Sequence, residues 1–198
     1  MSETAVLPIA PEQDWVLPSR GVVGITCLIL AESAIFIIFV VAYVFYIGKS
    51  LTGPTPHDVL KLPVFTTICL LSSSITVHAA VTALRRGRQQ MCSLWLAGTV
   101  LLGFTFLAGT AREWYQLIFH DGLTIKTNLF GTTFYSLVGL HASHVIVGLL
   151  MLSFALLFSL RRQMTQRHSE RLDVLSLYWH FVDAVWIVVF LTVYVFGR

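Results

Sequence analysis

The chain has 198 residues, of which 56% are hydrophobic and 12% charged, with a mean hydropathy of +0.79 and a formal net charge of +3. This composition excludes a soluble globular domain and is typical of a polytopic membrane protein. The three cysteines, Cys27, Cys69 and Cys92, lie in or beside apolar segments without a paired spacing, so neither a disulfide framework nor a thiolate metal centre is indicated. No basic run with interleaved aromatic residues indicates nucleic acid as a partner.

Five apolar runs are long enough to cross a membrane, because a hydrocarbon core about 30 Å thick takes about 20 helical residues. They cover residues 21–47, 62–84, 91–111, 128–160 and 174–196. Each must be helical, because lipid cannot satisfy backbone polar groups. The sequence therefore predicts an all-α fold: a five-helix transmembrane domain over residues 21–198, preceded by an N-terminal cytoplasmic tail at residues 1–20. That tail has no basic region followed by an apolar core, so it is not predicted to be a cleavable signal peptide.

The basic residues predict the orientation of the helices. Eight lie on one side of the predicted membrane, at Arg20, Arg85, Arg86, Arg88, Arg161, Arg162, Arg167 and Arg171. Five lie on the other side, at Lys49, Lys61, Arg112, Lys126 and Arg198. Because cytoplasmic loops carry an excess of Lys and Arg, the N-terminus is predicted to be cytoplasmic and the C-terminus outside.

Ionisable residues inside the predicted spans are the candidate functional positions. A charged side chain at the bilayer centre costs at least about 2.5–3.5 kcal/mol on insertion scales, and such residues usually face a polar partner or a proton path. His180 and Asp183 lie one helical turn apart and share a face. Glu32 has no basic residue within two turns of its own helix, so its partner must be another helix, a lipid or water. It either ties two helices together by a hydrogen bond or has a proton-transfer or lipid role.

His141 and His144, spaced i and i+3, line one face of the fourth predicted span. Metal sites usually need three or four converging ligands, so hydrogen-bonded packing histidines are the favoured interpretation. The same interpretation applies to His78 and His180, which lie in the same half of the membrane and could approach each other. Glu113, at the outer end of the third span, belongs either to an interfacial charged belt or to an anchor for a lipid headgroup or a partner subunit.

Four segments in order along the chain together resemble the subunit III family of haem–copper terminal oxidases, which covers cytochrome c oxidases and quinol oxidases. Residues 139–148 are similar to the family's G-x-H-x-x-H-V-x-x-G, and residues 179–186 to its W-H-F-V-D-x-V-W. The segment around Glu32 resembles the family's S-E helix, and residues 62–76 resemble the helix that follows it. Longer members begin with two further helices, so the chain resembles the short five-helix bacterial form.

The resemblance implies a non-redox subunit without a catalytic or metal-binding residue of its own. Haem and copper are then expected in subunits I and II, and phospholipid is a candidate ligand of this chain. The expected partners are subunits I and II, a small subunit IV as a further candidate, and membrane lipids. The chain would stabilise subunit I, support its proton uptake and lipid contacts, and shape an oxygen path, in the bacterial inner membrane. The positions expected to serve as structural, lipid or proton-support residues are Glu32, Glu113, His141, His144, His180 and Asp183.

Two other functions remain open on the residues alone. One is the subunit III homologue associated with nitric oxide reductases, which shares the five-helix plan. The other is a free-standing membrane enzyme that holds a metal or haem with the residues Glu32, His78, His141, His144 and His180. The electron donor, the haem type and the identity of the lipid are not encoded in recognisable motifs of this chain.

Overall fold

The computed structural model describes residues 19–49, 54, 56–60 and 62–197, and within these ranges the regular structure is entirely helical. The α-helices are α1 (Arg20–Tyr46), the short α2 (Pro56–Val59), α3 (Val64–Arg85), α4 (Gln89–Phe119), α5 (Leu129–Leu160) and α6 (Ser169–Phe190). A 3₁₀ turn at Gln166–His168 precedes α6, and a π-helical segment at Leu191–Phe196 follows it. In the described part of the chain, five helices are long and apolar enough to cross a membrane, namely α1, α3, α4, α5 and the continuous run Gln166–Phe196. The prediction of an all-α, five-helix membrane fold is confirmed.

The helix ends follow local chemistry. α1 begins after Ser19, whose hydroxyl accepts a hydrogen bond from the Val22 N–H at 3.4 Å. α5 begins after Asn128, whose side-chain oxygen Oδ1 accepts a hydrogen bond from the Gly131 N–H at 2.8 Å. Both side chains satisfy backbone donors that the first helical turn leaves free. The tight turn between α3 and α4 uses Gly87 at a φ of +71°, a conformation that glycine adopts without steric cost.

The helices pack as a layered bundle. α3 and α4 form a hairpin, α5 packs against α4 and α6, α6 returns against α3, and α1 lies along α5 and α6. Aromatic side chains fill the centre, including the fully buried Phe106, Phe134, Trp179 and Trp186. The outer surfaces carry large apolar side chains, as expected where lipid rather than water surrounds a helix.

Two helices extend beyond the predicted membrane spans, and for the same reason. The third predicted span ends at residue 111, but α4 continues to Phe119; the fifth begins at residue 174, but α6 begins at Ser169. Charged residues interrupt each apolar run without interrupting the backbone hydrogen bonds of the helix, because no proline or glycine intervenes. Of the three cysteines, Cys69 and Cys92 are buried and Cys27 is exposed. Most of the predicted tail at residues 1–20 lies outside the described residues.

Candidate functional site

A hydrogen-bonded seam joins α3 to α6. The indole N–H of Trp179 donates to Ser73 Oγ at 2.8 Å, and the indole N–H of Trp186 donates to Thr67 Oγ1 at 3.2 Å. Trp179, Asp183 and Trp186 are spaced i, i+4 and i+7, so they lie on one face of α6, and this face packs on α3. The motif at residues 179–186 therefore presents its polar atoms to the hydroxyl groups of one neighbouring helix.

Ser74 lies at the middle of this seam and contacts both ionisable residues of the motif. Its hydroxyl donates to Asp183 Oδ2, and its oxygen lies 3.0 Å from His180 Nδ1. His180 and Asp183 thus share a face, as the spacing predicted. Asp183 is only 4% exposed, and among the described residues its Oδ1 has no hydrogen-bond partner. A carboxyl group buried with one unmatched oxygen is energetically costly unless a water or another group completes it.

Glu32 meets a residue of another helix, as its isolation on α1 predicted. Its Oε2 lies 3.2 Å from His144 Nε2 on α5. His144 Nδ1 lies 2.8 Å from the carbonyl oxygen of Leu140, which can only accept, so Nδ1 carries a proton. A hydrogen bond between Nε2 and Oε2 then requires a proton on one of these two atoms. An apolar groove of about 280 Å³ opens beside the pair, lined by residues that include Ile25, Leu28, Val147, Met151 and Tyr178.

His141 was predicted to be a hydrogen-bonded packing residue. It packs in the core, but the prediction of hydrogen bonds to its ring was wrong for the described residues. The side chain is 1% exposed, stacks on Trp186 with ring centroids 4.9 Å apart and meets the edge of Phe106 at 5.9 Å. Within the described part of the chain, neither ring nitrogen has a hydrogen-bond partner. Residues i and i+3 are offset by about 60° around a helix, and here that offset directs His141 towards α4 and α6 and His144 towards α1.

The candidate metal ligands lie at different places in the bundle and contact different neighbours. His144 pairs with Glu32, His180 with Ser74, and His141 with aromatic rings, while His78 is exposed on α3. The described ranges contain no group of three or more His, Cys, Asp or Glu side chains that could hold a metal ion. The set of five ligands considered for a free-standing metal or haem enzyme is therefore not gathered at one point.

Glu113 lies against the π-helical segment that follows α6 rather than in an exposed charged belt. Tyr194, 2% exposed, places its hydroxyl 3.0 Å from each carboxylate oxygen and donates to Glu113. Sequence reasoning missed Tyr194 because an aromatic residue near a span end resembles an interfacial anchor. It also gave Thr67 no role, although the seven-residue interval between Thr67 and Ser74 places both on one face of α3.

Comparison with known proteins identifies the family. The family model for cytochrome c oxidase subunit III matches residues 19–198. The chain is similar to cytochrome c oxidase subunit 3 of Bacillus sp. (strain PS3), with 32% identity over 193 residues that cover 96% of this chain and 93% of that protein. It is 38% identical over 181 residues to the protein of that name from Synechocystis sp., covering 89% of this chain and 76% of the relative. For the protein of that name from Carassius auratus, identity is 36% over 146 residues, covering 74% of this chain and 54% of the relative. Together with the five-helix fold, these matches establish that the chain belongs to the cytochrome c oxidase subunit III family.

Proposed function

We propose that the chain is the non-redox subunit III of a proton-pumping haem–copper terminal oxidase that reduces oxygen to water in aerobic respiration. Its task is to stabilise subunit I and to support the proton uptake and lipid contacts of that subunit. The observation that carries this proposal is the α3–α6 seam, in which the family-like motif at residues 179–186 holds two helices together by side-chain hydrogen bonds. Such a seam makes a rigid body against which a catalytic subunit can pack.

The redox centres belong, in this proposal, to partner subunits I and II. The three buried or half-buried histidines His141, His144 and His180 have different neighbours and point to different helices, which supports this assignment. The bacterial inner membrane is the proposed location, and a small subunit IV is a further candidate partner.

The surroundings of Glu32 and His144 support the lipid and proton roles proposed for them. The pair lies beside the groove of about 280 Å³ between α1 and α5, whose mostly apolar lining suits part of a phospholipid acyl chain. Ionisable side chains that pair with one another inside a membrane span are typical of proton paths, which supports a place for this pair near a proton-uptake route. Glu113 and Asp183 act structurally, each through a hydroxyl donor on another helix.

Asp183→Leu tests the stabilising role. The substitution removes the acceptor of Ser74 in the middle of the seam, and an interhelical hydrogen bond of this type contributes about 1 kcal/mol in a membrane. We expect less subunit III to remain with subunit I during purification, and a shorter active lifetime during sustained oxygen turnover, with haem content of subunit I unchanged. Val188→Leu, an exposed apolar change on the same helix, is the matched control. Undiminished subunit III content together with unchanged activity through prolonged turnover would falsify the proposal.

A further inference from the structure

Two histidines lie at the same depth of the bundle on neighbouring helices. Arg85 of α3 and Asp173 of α6 form an ion pair at the arginine-rich end. His78 and His180 each lie seven residues further from that end, which is about 10 Å along a helix at 1.5 Å per residue. The 3.0 Å contact between His180 Nδ1 and Ser74 Oγ agrees with this register. Both imidazoles therefore lie within the membrane-spanning parts of their helices.

These imidazoles carry hydrogen-bonding atoms that have no partner. His78 is exposed, and within the described residues its ring makes no hydrogen bond. His180 is half-buried, and in the same part of the chain its Nε2 makes none either. A histidine side chain is too short to reach the membrane interface from this depth, as lysine and arginine do. Lipid tails offer neither donors nor acceptors, so exposing these atoms to lipid is costly.

The other polar groups near the two histidines already have partners. The Thr82 hydroxyl donates to a carbonyl oxygen of its own helix, and the Ser74 hydroxyl donates to Asp183. Asp173 is engaged by Arg85. Among the described residues, neither of these carboxyl groups lies within ion-pair distance of a histidine. The unmatched ionisable groups at this depth are therefore both basic.

The surface around the histidines suits the approach of another membrane helix. Ala184 lies one turn from His180 on α6 and is exposed, and small residues let helices approach closely. Ile75, one turn from His78 on α3, is 72% exposed, and Leu177 is an exposed apolar side chain one turn from His180. We call these five residues the imidazole face. A polar side chain carried by a helix can meet the two rings there, because the helix satisfies its own backbone groups.

We propose that the imidazole face is covered by a transmembrane helix of a partner subunit, which places an Asp or Glu side chain beside His78 and His180. A carboxyl group complements two unmatched basic rings, and it forms a hydrogen bond with an imidazole whichever of the two carries the proton. The bundle itself uses this contact where Glu32 of α1 meets His144 of α5. The inference rests on the proposed function in one respect, namely that the partner belongs to the same oxidase.

Photo-crosslinking in the intact complex tests which molecule covers the face. p-Benzoylphenylalanine is introduced in place of Ile75, the membranes are irradiated, and the adducts are identified by mass spectrometry. We expect an adduct with a transmembrane segment of a partner subunit, within about two helical turns of an aspartate or glutamate. An adduct with lipid alone, or with a segment that lacks such a residue, would overturn the proposal.

Substitution of His78 tests the hydrogen bond. His78→Leu should lower the amount of this chain that stays with the complex through detergent purification by about five-fold, the effect of one interhelical hydrogen bond in a membrane. His78→Gln keeps a donor and an acceptor, so retention should return to within about two-fold of the unmodified complex. Thr82→Val is the matched control, because it removes a hydroxyl that α3 itself satisfies. Equal retention of the Leu and Gln variants, or an equal loss in the control, contradicts the proposed contact.

Water is the alternative occupant, and a charged methanethiosulfonate reagent tests for it in opened membranes. In a chain with Cys27→Ala, His78→Cys should stay unreacted, whereas Gln163→Cys, exposed at the same end, should react. Reaction at position 78 would indicate a water-filled path and overturn the proposal. If the chain co-purifies with an oxidase but Ile75 gives lipid adducts alone, this inference fails and the proposed function stands. If no oxidase subunit co-purifies, both fail.

Discussion

At the scale of single residues, three carboxyl groups of this bundle meet polar side chains of other helices. Glu32 meets His144, Asp183 meets Ser74, and Glu113 meets the hydroxyl of Tyr194. Each contact lowers the cost of placing a carboxyl group in an apolar region. The residue types and their positions inside apolar runs could be predicted from the sequence. The partners could not, because each lies on another helix and depends on the rotation of both.

The Glu32–His144 contact should be measurable as a coupling energy. In a double-mutant cycle with Glu32→Leu and His144→Phe, we expect the two substitutions to be non-additive by about 1 kcal/mol, because each removes the same 3.2 Å contact between α1 and α5. The measurement is the thermal midpoint for release of the subunit from the purified complex. A parallel cycle with the exposed His78→Phe in place of His144→Phe serves as the control and should be additive. Additive effects in both cycles would show that the contact contributes nothing to stability.

At the scale of helices, glycines let Trp179 enter the centre of the bundle. A Cβ atom at Gly148 on α5 would lie 2.7 Å from Trp179 Cε3, and one at Gly103 on α4 would lie 3.2 Å from Trp179 Cη2. The indole thus occupies space that both neighbouring helices leave free, and its N–H reaches Ser73 on α3. Small residues at membrane helix contacts allow close approach of this kind. The sequence alone does not indicate which side chain fills this space.

Gly148→Ala should therefore destabilise the bundle by about 1–3 kcal/mol, the range for overpacking a close-packed core. The added methyl group would contact the Trp179 ring at 2.7 Å, and either α5 or the indole must shift. Gly98→Ala is the matched control, since a Cβ there meets nothing within 4 Å and alanine favours a helix by up to about 1 kcal/mol. Both variants are compared by thermal unfolding of the purified protein. Equal midpoints for the two variants would contradict the tight packing of α5 on Trp179.

At the scale of the whole molecule, the distribution of arginines predicts which ends of the helices face the cytoplasm. The α3–α4 turn and the segment after α5 lie at one end of the bundle, where Arg85 pairs with Asp173 and the Gln166 side chain donates to the Arg85 carbonyl oxygen at 3.3 Å. The loop between α4 and α5, with Lys126, lies at the opposite end because α4 and α5 each cross the bundle once. The two ends therefore differ in charge, and the positive-inside rule assigns the arginine-rich end to the cytoplasm.

Cysteine labelling in sealed, right-side-out membrane vesicles checks this orientation. In a chain whose exposed Cys27 is replaced by alanine, Lys126→Cys should react with a membrane-impermeant maleimide added outside. Gln163→Cys, exposed at the other end, should react only after the vesicles are opened with detergent. The reverse pattern would show that the bundle is inserted in the opposite direction, and reaction at both positions in intact vesicles would show that the vesicles are not sealed.

The sequence by itself determined the five membrane helices, because a run of about 20 apolar residues has few other stable structures in lipid. It also determined the family-like motifs and the positions of the costly ionisable residues. Tertiary structure alone decided that Glu113 is matched by Tyr194, from a segment 81 residues away along the chain. It alone separated His141 from His144, because an offset of about 60° around one helix is enough to face different neighbours. The physical reason is the same in both cases: periodicity reports which side of a helix is apolar, whereas the identity of a partner depends on where the other helices pack.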